Sequence, residues 1–461
     1  MKTLWAAVRK MAVFVDRWQW AILLLASPWL LFPTPDRSAI ILVVPALWIC
    51  AGLAGRGCLP STPLNVSLIV LGIMVLVSLV ATYDIAVSLP KVSGLVLGFG
   101  AFFAVARTGG EKAWWLRILA GFMALGVVIA AIGLLGMQGG NKIAFLSPLL
   151  NRLPMAVRGL PGAEEGLNPN QVAGSLLWII PAMTMAVVHN KRLWRQRPAG
   201  ASRGYAIAVI SLSALSLLFV SSAFVLTQSR SGYIGLAAGL ALMLMVGIPT
   251  RWRRWLAVGM IVGLIGLGAI VWRGGAKPAV QASLGSAALP FDTVDGRLEI
   301  WSRAIYGIQD FSFTGMGMNT FRHIMPMLYP LFTVGPDVDV GHAHNEFLQA
   351  ALDLGLPGLI AFIALYLGAF AMALHIWRPG DTVTAPDMAA RRQVALGLGS
   401  GLLAHLVYGL TDAVALGAKP GLVFWLLLGL IAGLFEQTRP APLPATMADA
   451  RPNGRLMIDS S

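Results

Sequence analysis

The chain has 461 residues, of which 57% are hydrophobic and only 12% are charged, and its formal net charge is +14. A soluble domain carries about a quarter charged residues, so this composition excludes a soluble enzyme and a disordered chain. Apolar runs long enough to cross a bilayer recur along the sequence, which predicts an all-α polytopic membrane protein of the inner-membrane type. The positive excess is then expected in loops, and no nucleic acid partner is predicted.

Apolar windows broken at clusters of charge, Gly and Pro predict about twelve transmembrane helices. They fall at 18–35, 38–55, 64–81, 91–106, 114–136, 172–188, 205–226, 231–248, 254–272, 346–376, 394–413 and 419–435. The basic segment MKTLWAAVRKMAVFVDR precedes the first span, and no small-residue cleavage site follows it, which favours an anchor over a removed signal peptide. Cys50 and Cys58 have no metal-ligand spacing, so neither a disulfide framework nor a zinc site is expected.

The distribution of basic residues predicts the topology. With a cytoplasmic N-terminus, roughly two thirds of the Lys and Arg fall in inside segments, as the positive-inside rule requires, and both termini are inside. Residues 1–272 then carry spans one to nine with an outside loop near 137–171. Residues 273–345 form a large outside loop, 346–435 carry spans ten to twelve, and the tail 436–461 is predicted to be disordered because it is rich in Pro, Ala and Asp.

The 273–345 loop is too long for an idle connector. Leu298, Trp301, Ile305 and Ile308 recur at helical spacing and predict an amphipathic helix with one apolar face. The later stretch FRHIMPMLYPLF is aromatic and rich in Met, which is typical of a segment at the membrane interface.

Two arginines on the outside face are candidate anion ligands. Arg230, in LTQSRSG, lies where a helix begins, and a cation there is unfavourable by up to about 1 kcal/mol unless an anion binds. The alternative is an interface arginine that reaches lipid headgroups. Arg297 opens the predicted loop helix, with Asp295 placed to cap it. Arg297 has no carboxylate three or four residues further on, which favours binding of another group, although a solvated surface charge also fits.

The segment GHAHNEFLQAALDLGLPGL, residues 341–359, contains two of the six histidines. If the tenth helix includes His344, the helix dipole keeps that imidazole neutral, as a general base must be. A satisfied interfacial histidine fits the residues equally well. His342 would point to the opposite face of a helix, and only an extended approach lets both rings reach one site. The LGLPG stretch predicts a bend within the span.

Other polar residues have weaker patterns. Asn168 and Asn170 in GLNPNQ could orient sugar hydroxyls, but they also suit turns and helix caps. Arg158 could contact an anionic acceptor, although a solvated loop charge is the simpler interpretation. His405 and Asp412 lie in or beside the eleventh span. Because they are far apart along one helix, they are interpreted as structural unless a third helix joins them.

The histidine segment resembles the signature of a known family. His344-Asn345, nine residues, Gly355, two residues and Gly358 resemble the pattern of bacterial O-antigen ligases. The LTQSRSG stretch around Arg230 is similar to the arginine-bearing segment of the same superfamily, which includes O-antigen polymerases and protein O-oligosaccharyltransferases. The layout of about twelve spans and one large periplasmic loop is similar too.

This resemblance implies a GT-C-type inverting glycosyltransferase that joins an undecaprenyl-diphosphate-linked glycan to lipid A-core at the periplasmic face of the inner membrane. It implies that Arg230 and Arg297 bind the donor pyrophosphate and that His344, or else His342, is the base. Possible substrate contacts are Asn168, Asn170, Asn345 and Arg158. Membrane lipids are further partners, and neither a cofactor nor a metal ion is expected. The alternatives are a polymerase or protein O-oligosaccharyltransferase with the same donor, or a transporter of lipid-linked glycans.

Overall fold

The computed structural model describes residues 1–109, 114–137, 146–196, 203–247, 294–335, 338–378 and 388–438, and parts of 251–259. Its α-helices in chain order are α1 Lys2–Arg17, α2 Gln19–Leu31, α3 Val43–Leu53, α4 Asn65–Ala81, α5 Ile85–Gly109, α6 Trp114–Gly136, α7 Ser147–Leu150, α8 Pro169–Leu177, α9 Ile180–Gln196, α10 Arg203–Leu226, α11 Arg230–Gly247, α12 Val294–Asp310, α13 Phe321–Leu328, α14 Glu346–Trp377, α15 Met388–Gly409 and α16 Leu422–Glu436. The 3-10 helices Pro35–Leu42 and Lys419–Gly421 precede α3 and α16.

The exposed surface of the bundle is apolar, as α4 illustrates. Val66, Ile69, Ile73, Leu76 and Val80 recur every three or four residues, and each is between 51% and 89% exposed. A continuous apolar stripe of this kind would be costly in water and is stable against lipid tails. The opposite face of α4 is buried in the bundle. The prediction of an all-α polytopic membrane protein is therefore confirmed for the described part of the chain.

The predicted number of spans is not confirmed. Helices occupy the predicted positions, except that the ninth, 254–272, lies beyond the described residues for most of its length. By length and composition, six described helical segments could cross a membrane, or seven if one bent pair counts as a span. α2, α4 and α11 are apolar but shorter. The predicted span 394–413 is α15, which ends at Gly409 and leaves Asp412 in the following turn.

The predicted span 172–188 is a bent pair of helices. α8 and α9 are separated at Trp178 and Ile179 and bent by 41°. Pro181 lies in the first turn of α9 and has no N–H to continue the hydrogen-bond ladder from α8. The proline therefore explains why one straight helix does not form here.

Small residues bring the central helices into close contact. A Cβ added at Gly235 would overlap the carbonyl oxygen of Ala404, and one at Gly239 would lie 2.6 Å from that of Ser400. α11 and α15 therefore touch backbone to backbone, as helices in membranes do at small-residue faces. This packing fixes the position of the turn that follows α15.

The termini of many helices meet at one end of the bundle, called here the site end. α5, α8, α11 and α14 begin there, and α4, α6, α10 and α15 end there, as hydrogen bonds between these termini show. Residues 146–168, 294–335 and 338–345, which the sequence predicts to be outside the membrane, lie at this end. The site end is thus where polar side chains from distant parts of the chain can come together.

Residues 294–335 and 338–345 form a small helical unit at the site end. α12 is amphipathic as predicted, but its buried stripe contains Ile300 and Ala304, which are fully buried. Leu298 and Ile305 of the predicted apolar face are 54% and 47% exposed. The helix is rotated because its small residues allow a close approach: a Cβ at Gly307 would lie 3.0 Å from a side-chain atom of α14.

The carboxylate of Glu299 on α12 holds the loop after α13. It accepts hydrogen bonds of 2.7 to 3.0 Å from the N–H groups of Phe332, Thr333 and Val334. Partial burial would by itself raise the pKa of Glu299, but these three N–H groups outweigh it and lower that pKa below its usual value. The ionised carboxylate therefore stabilises the loop.

α14 is kinked at Gly355, which confirms the predicted bend. Gly355 has φ 70° and ψ 178°, and a Cβ there would overlap the carbonyl oxygen of Phe313. The N–H of Met316 donates a 2.7 Å hydrogen bond to the carbonyl oxygen of Leu352, which the kink leaves available. The segment that follows α12 thus inserts beside the kink and fastens the helical unit to the bundle.

Candidate functional site

The site is built around the chain that leads into α14. The helix begins at Glu346, and Asn345 is its N-cap, with Oδ1 accepting hydrogen bonds of 3.0 Å from the N–H groups of Phe347 and Leu348. The expectation that His344 lies in the first helical turn is therefore wrong. His344 has a positive φ of 47° and precedes the N-cap, so it lies outside the helix.

Because the chain before α14 is not helical, the rings of His342 and His344 lie next to each other. The ring centroids of His342 and His344 are 4.4 Å apart, and the backbone N–H of His344 donates a 3.2 Å hydrogen bond to Nδ1 of His342. Of the two geometries that the sequence leaves open, the structure has the one in which both rings reach the same site. The hydrogen bond also fixes a tautomer of His342 with its proton on Nε2.

Asp412 is the carboxylate of this site. Its Oδ1 lies 3.5 Å from Nδ1 of His344 and accepts a 2.9 Å hydrogen bond from the N–H of Ala413. Its Oδ2 lies 3.9 Å from a guanidinium nitrogen of Arg297. Asp412 is 1% exposed, and burial alone would raise the pKa of its carboxyl, but the neighbouring His344 and Arg297 outweigh burial and lower that pKa to about 2. A carboxylate at Nδ1 favours the imidazole tautomer that leaves Nε2 as the acceptor.

One turn, residues 410–412, contacts Arg297 directly and contacts the residue that follows Arg230. Arg297 donates to the carbonyl oxygen of Thr411 and pairs with Asp412. Arg230 is the first residue of α11 and is exposed, and its neighbour Ser231 accepts a 2.9 Å hydrogen bond from the hydroxyl of Thr411. The carboxylate that faces Arg297 at the site therefore comes from the turn after α15, far away in the sequence.

The predicted asparagines have structural contacts. Asn345 caps α14 and also donates 2.9 Å from Nδ2 to the carbonyl of Leu410. Asn168 caps α8 by accepting from the N–H of Asn170, whose carbonyl accepts 2.8 Å from the hydroxyl of Tyr408. The turn and cap interpretation thus describes the side-chain contacts of Asn345 and Asn168, while the contacts of Asn170 are made by its backbone.

Arg158 is exposed in the loop before α8, and the structure does not bring it into the histidine cluster. Its predicted contact with an anionic acceptor stays a prediction.

The electrostatic surroundings of His342 keep it neutral. Burial of the ring is the main cause that lowers the pKa of His342, to about 3, and the nearby positive groups Lys91 and Arg297 act in the same direction. Asp412 opposes them. Neutral His342 is therefore a hydrogen-bond partner and not a cation at physiological pH.

His342, His344 and Asp412 each offer a ligand atom, and these atoms lie within 4.8 Å of one another, so the group could hold a metal ion. The spacing would allow a metal ion, but the charges around it disfavour one, because the guanidinium of Arg297 already faces Asp412. A divalent cation would have to bind beside a fixed positive charge.

Sequence reasoning missed two parts of the site. Asp412 lies beside His344 and Arg297, whereas its spacing from His405 along one helix suggested a structural role. Its position in the predicted span 394–413 was the available signal, since ionisable residues in spans are functional candidates. His405 on α15 contacts α14, where its Nδ1 lies 3.2 Å from Oε2 of Glu346 and 3.1 Å from the hydroxyl of Tyr366. Lys91 was not singled out at all.

Part of the chain is similar to a known protein family. A family model described as O-antigen ligase matches residues 214–363, a stretch that contains Arg230, Arg297, His342 and His344. Asp412 lies beyond the matched residues. No curated protein matches the chain.

Proposed function

We propose that the chain ligates undecaprenyl-diphosphate-linked O-antigen to lipid A-core oligosaccharide, because a family model described as O-antigen ligase matches residues 214–363. This match supports a membrane glycosyltransferase of the O-antigen ligase and polymerase type and lipid-linked glycan substrates. The donor, the acceptor, the inverting outcome and a periplasmic site end in the bacterial inner membrane, with both termini in the cytoplasm, are parts of the proposal.

One observation carries the proposal: a histidine, a carboxylate and an arginine meet at the end of an apolar bundle. His344 Nδ1 faces Asp412 at 3.5 Å, and Arg297 faces the same carboxylate at 3.9 Å. Group transfer from a lipid diphosphate needs a base for the incoming hydroxyl and cations for the leaving group, and these are the residue types present.

His344 acts as the base. Asp412 holds the proton of His344 on Nδ1, so Nε2 takes the proton of the acceptor hydroxyl as its oxygen attacks the anomeric carbon. The bond between that carbon and the diphosphate oxygen breaks on the opposite face, which inverts the configuration. The imidazolium that results is stabilised by the carboxylate.

Arg230 and Arg297 stabilise the departing diphosphate. A guanidinium stays charged and presents five N–H donors in a fixed plane, so Arg297 can contact Asp412 and a phosphate oxygen together. Arg230 begins α11, where the helix N-terminus adds to the attraction for an anion. No step requires a metal ion or a cofactor, and the reaction is proposed to be metal-independent.

The test is glycan transfer by the purified protein in lipid nanodiscs with a chelator present. Undecaprenyl-diphosphate glycan is the donor and lipid A-core is the acceptor. We expect ligated lipopolysaccharide from the wild type and loss of about 100-fold or more with His344→Ala. His323→Ala is the matched control, since His323 is an exposed histidine of the same helical unit.

The products separate the alternatives. Longer lipid-linked chains without ligation would identify a polymerase, and glycosylation of a protein supplied as acceptor would identify a protein O-oligosaccharyltransferase. Full activity of His344→Ala would contradict the base. Translocation of the donor without any transfer would contradict the glycosyltransferase and support a transporter.

A further inference from the structure

A buried polar network lies directly beneath the histidines, around Asp353 on α14. Its Oδ1 accepts hydrogen bonds of 2.9 Å from Nε2 of Gln349 and 3.2 Å from the N–H of Asn319. Its Oδ2 lies 3.3 Å from Nζ of Lys91 on α5. Asp353 and Gln349 are each 1% exposed, so these contacts are made in the interior of the bundle.

Gln349 connects this network to the site. Its Oε1 accepts a 2.9 Å hydrogen bond from the N–H of Ala343, the residue between the two histidines. Only one orientation of the Gln349 amide makes both hydrogen bonds, because its oxygen must face the N–H of Ala343 and its nitrogen must face the carboxylate of Asp353. Asp353 therefore fixes the orientation in which Gln349 binds the backbone of the histidine segment.

The histidine segment needs such support. His344 has a φ of 47°, which a residue with a side chain rarely adopts unless its surroundings impose it. Ala343 is fully buried, so its N–H has no access to water as an alternative partner. The hydrogen bond from Ala343 to Gln349 is thus a point at which the bundle can set the direction of both imidazoles.

The backbone of Lys91 also contacts the segment that follows Asp412. A Cβ added at Gly417 would overlap the carbonyl oxygen of Lys91, so α5 packs backbone to backbone against the segment that follows Asp412. The Lys91 side chain reaches Asp353 on α14. One residue of α5 is therefore linked both to the network under His344 and to the chain after Asp412.

We propose that Lys91, Asp353 and Gln349 are positioning residues that fix the backbone at 342–344 and thereby hold His344 against Asp412. The inference rests on the proposed function and deepens it. A buried ion pair contributes little net stability, since desolvation offsets the attraction, and its best-supported role is to select one geometry. Lys91 and Asp353 act in this way, with Gln349 as the link.

The competing role for Lys91 is direct binding of the donor diphosphate. Its Nζ is directed to Asp353, and its side chain is 11% exposed. The two roles predict different kinetics. A positioning residue lowers kcat with little change in the donor KM, whereas a diphosphate ligand raises that KM.

The experiment compares four variants in the transfer assay. Gln349→Leu and Lys91→Met should each lower kcat by about 100-fold, the cost of misplacing a catalytic group by about 1 Å, with the donor KM unchanged. The double variant K91M/D353N should regain most of that activity. The amide that it introduces can still accept from Gln349 and Asn319 through its oxygen, and the variant leaves no unpaired buried charge. Arg56→Met, which breaks the Arg56–Asp16 ion pair near the other end of α5, is the control and should keep wild-type kcat.

A readout independent of activity accompanies the kinetics. Hydrogen exchange of residues 341–345 should accelerate in Gln349→Leu, while exchange in α4 and α16 stays at the wild-type rate. Unchanged exchange and unchanged kcat in Gln349→Leu would overturn the inference. So would a raised KM in Lys91→Met without recovery in K91M/D353N. If the wild type itself transfers no glycan, the proposed function fails, and the exchange measurement still decides whether the network positions the segment.

Discussion

Replacing Asp412 with Asn removes one charge and leaves the shape of the side chain. The Oδ1 of Asp412 lies 3.5 Å from Nδ1 of His344. At this distance a carboxylate stabilises the imidazolium of the transition state by about 5 kcal/mol at an effective dielectric constant of about 20, and by about 1 kcal/mol at that of water. Asp412→Asn should therefore lower kcat by between about ten-fold and a few thousand-fold.

The donor KM should respond differently from kcat. Arg297 lies 3.9 Å from the same carboxylate, and neutralising that carboxylate leaves the guanidinium charge less compensated. Binding of the donor diphosphate should then stay as tight or become tighter, so kcat falls without a rise in KM. Initial rates at varied donor concentration, with saturating acceptor, measure both constants.

Asp339→Asn is the matched control for this charge change. Asp339 belongs to the same helical unit and pairs with Arg322 at 2.9 Å, but both side chains are more than half exposed. Its substitution should leave kcat unchanged, because exposed ion pairs contribute little. A kcat for Asp412→Asn within about two-fold of the wild type would refute the orienting role of Asp412.

Three further substitutions or conditions test the rest of the structure. Gly355→Ala should lower the melting temperature, since its φ of 70° costs about 1–3 kcal/mol for a residue with a Cβ and that Cβ would meet Phe313; an unchanged melting temperature would contradict the kink. Arg230→Lys should lower kcat/KM by about ten-fold, because lysine keeps the charge and loses the bidentate geometry; wild-type kcat/KM would exclude Arg230 from diphosphate binding. Glu299 has a lowered pKa, so its stabilisation of residues 332–334 is fully present above the pKa of the unfolded carboxyl and is lost as pH falls through the pKa of the folded state. Amide exchange of residues 332–334, corrected for the intrinsic rate, should therefore accelerate at acid pH in the wild type. In Glu299→Gln the corrected exchange should be insensitive to pH.

The sequence predicts the parts of the fold and the site that depend on neighbouring residues. Apolar runs indicate where most helices lie, and the LGLPG stretch indicates the kink, because Gly and Pro act on their own turn. Arg230 is recognisable since it begins a helix directly after another helix ends. His342 and His344 are recognisable as a pair, but their common direction depends on α14 beginning only at Glu346, so that both histidines lie outside the helix, and propensity alone does not fix where a helix begins.

Contacts between distant residues could not be predicted in this way. Asp412 follows His344 by a whole pair of helices, and its role depends on α15 ending at Gly409 so that a turn, and not a helix, carries the carboxylate. Lys91 and Asp353 are 262 residues apart and meet only because the fold brings the Lys91 side chain of α5 to Asp353, while the Lys91 backbone contacts Gly417 in the turn before α16. A periodic pattern predicts that a helix has a buried face and says nothing of which helix covers it.

The 410–412 turn joins the two halves of the proposed reaction. Its Thr411 carbonyl holds the guanidinium of Arg297, which is proposed to bind the leaving diphosphate, and the adjacent Asp412 holds His344, which is proposed to take the acceptor proton. Consecutive residues of one short turn cannot move far relative to each other, because the backbone has only two soft dihedral angles per residue. The separation of the two groups that hold base and cation, the Thr411 carbonyl and the Asp412 carboxylate, is therefore limited by covalent structure, which favours the precision that group transfer requires in a site assembled from four separate segments.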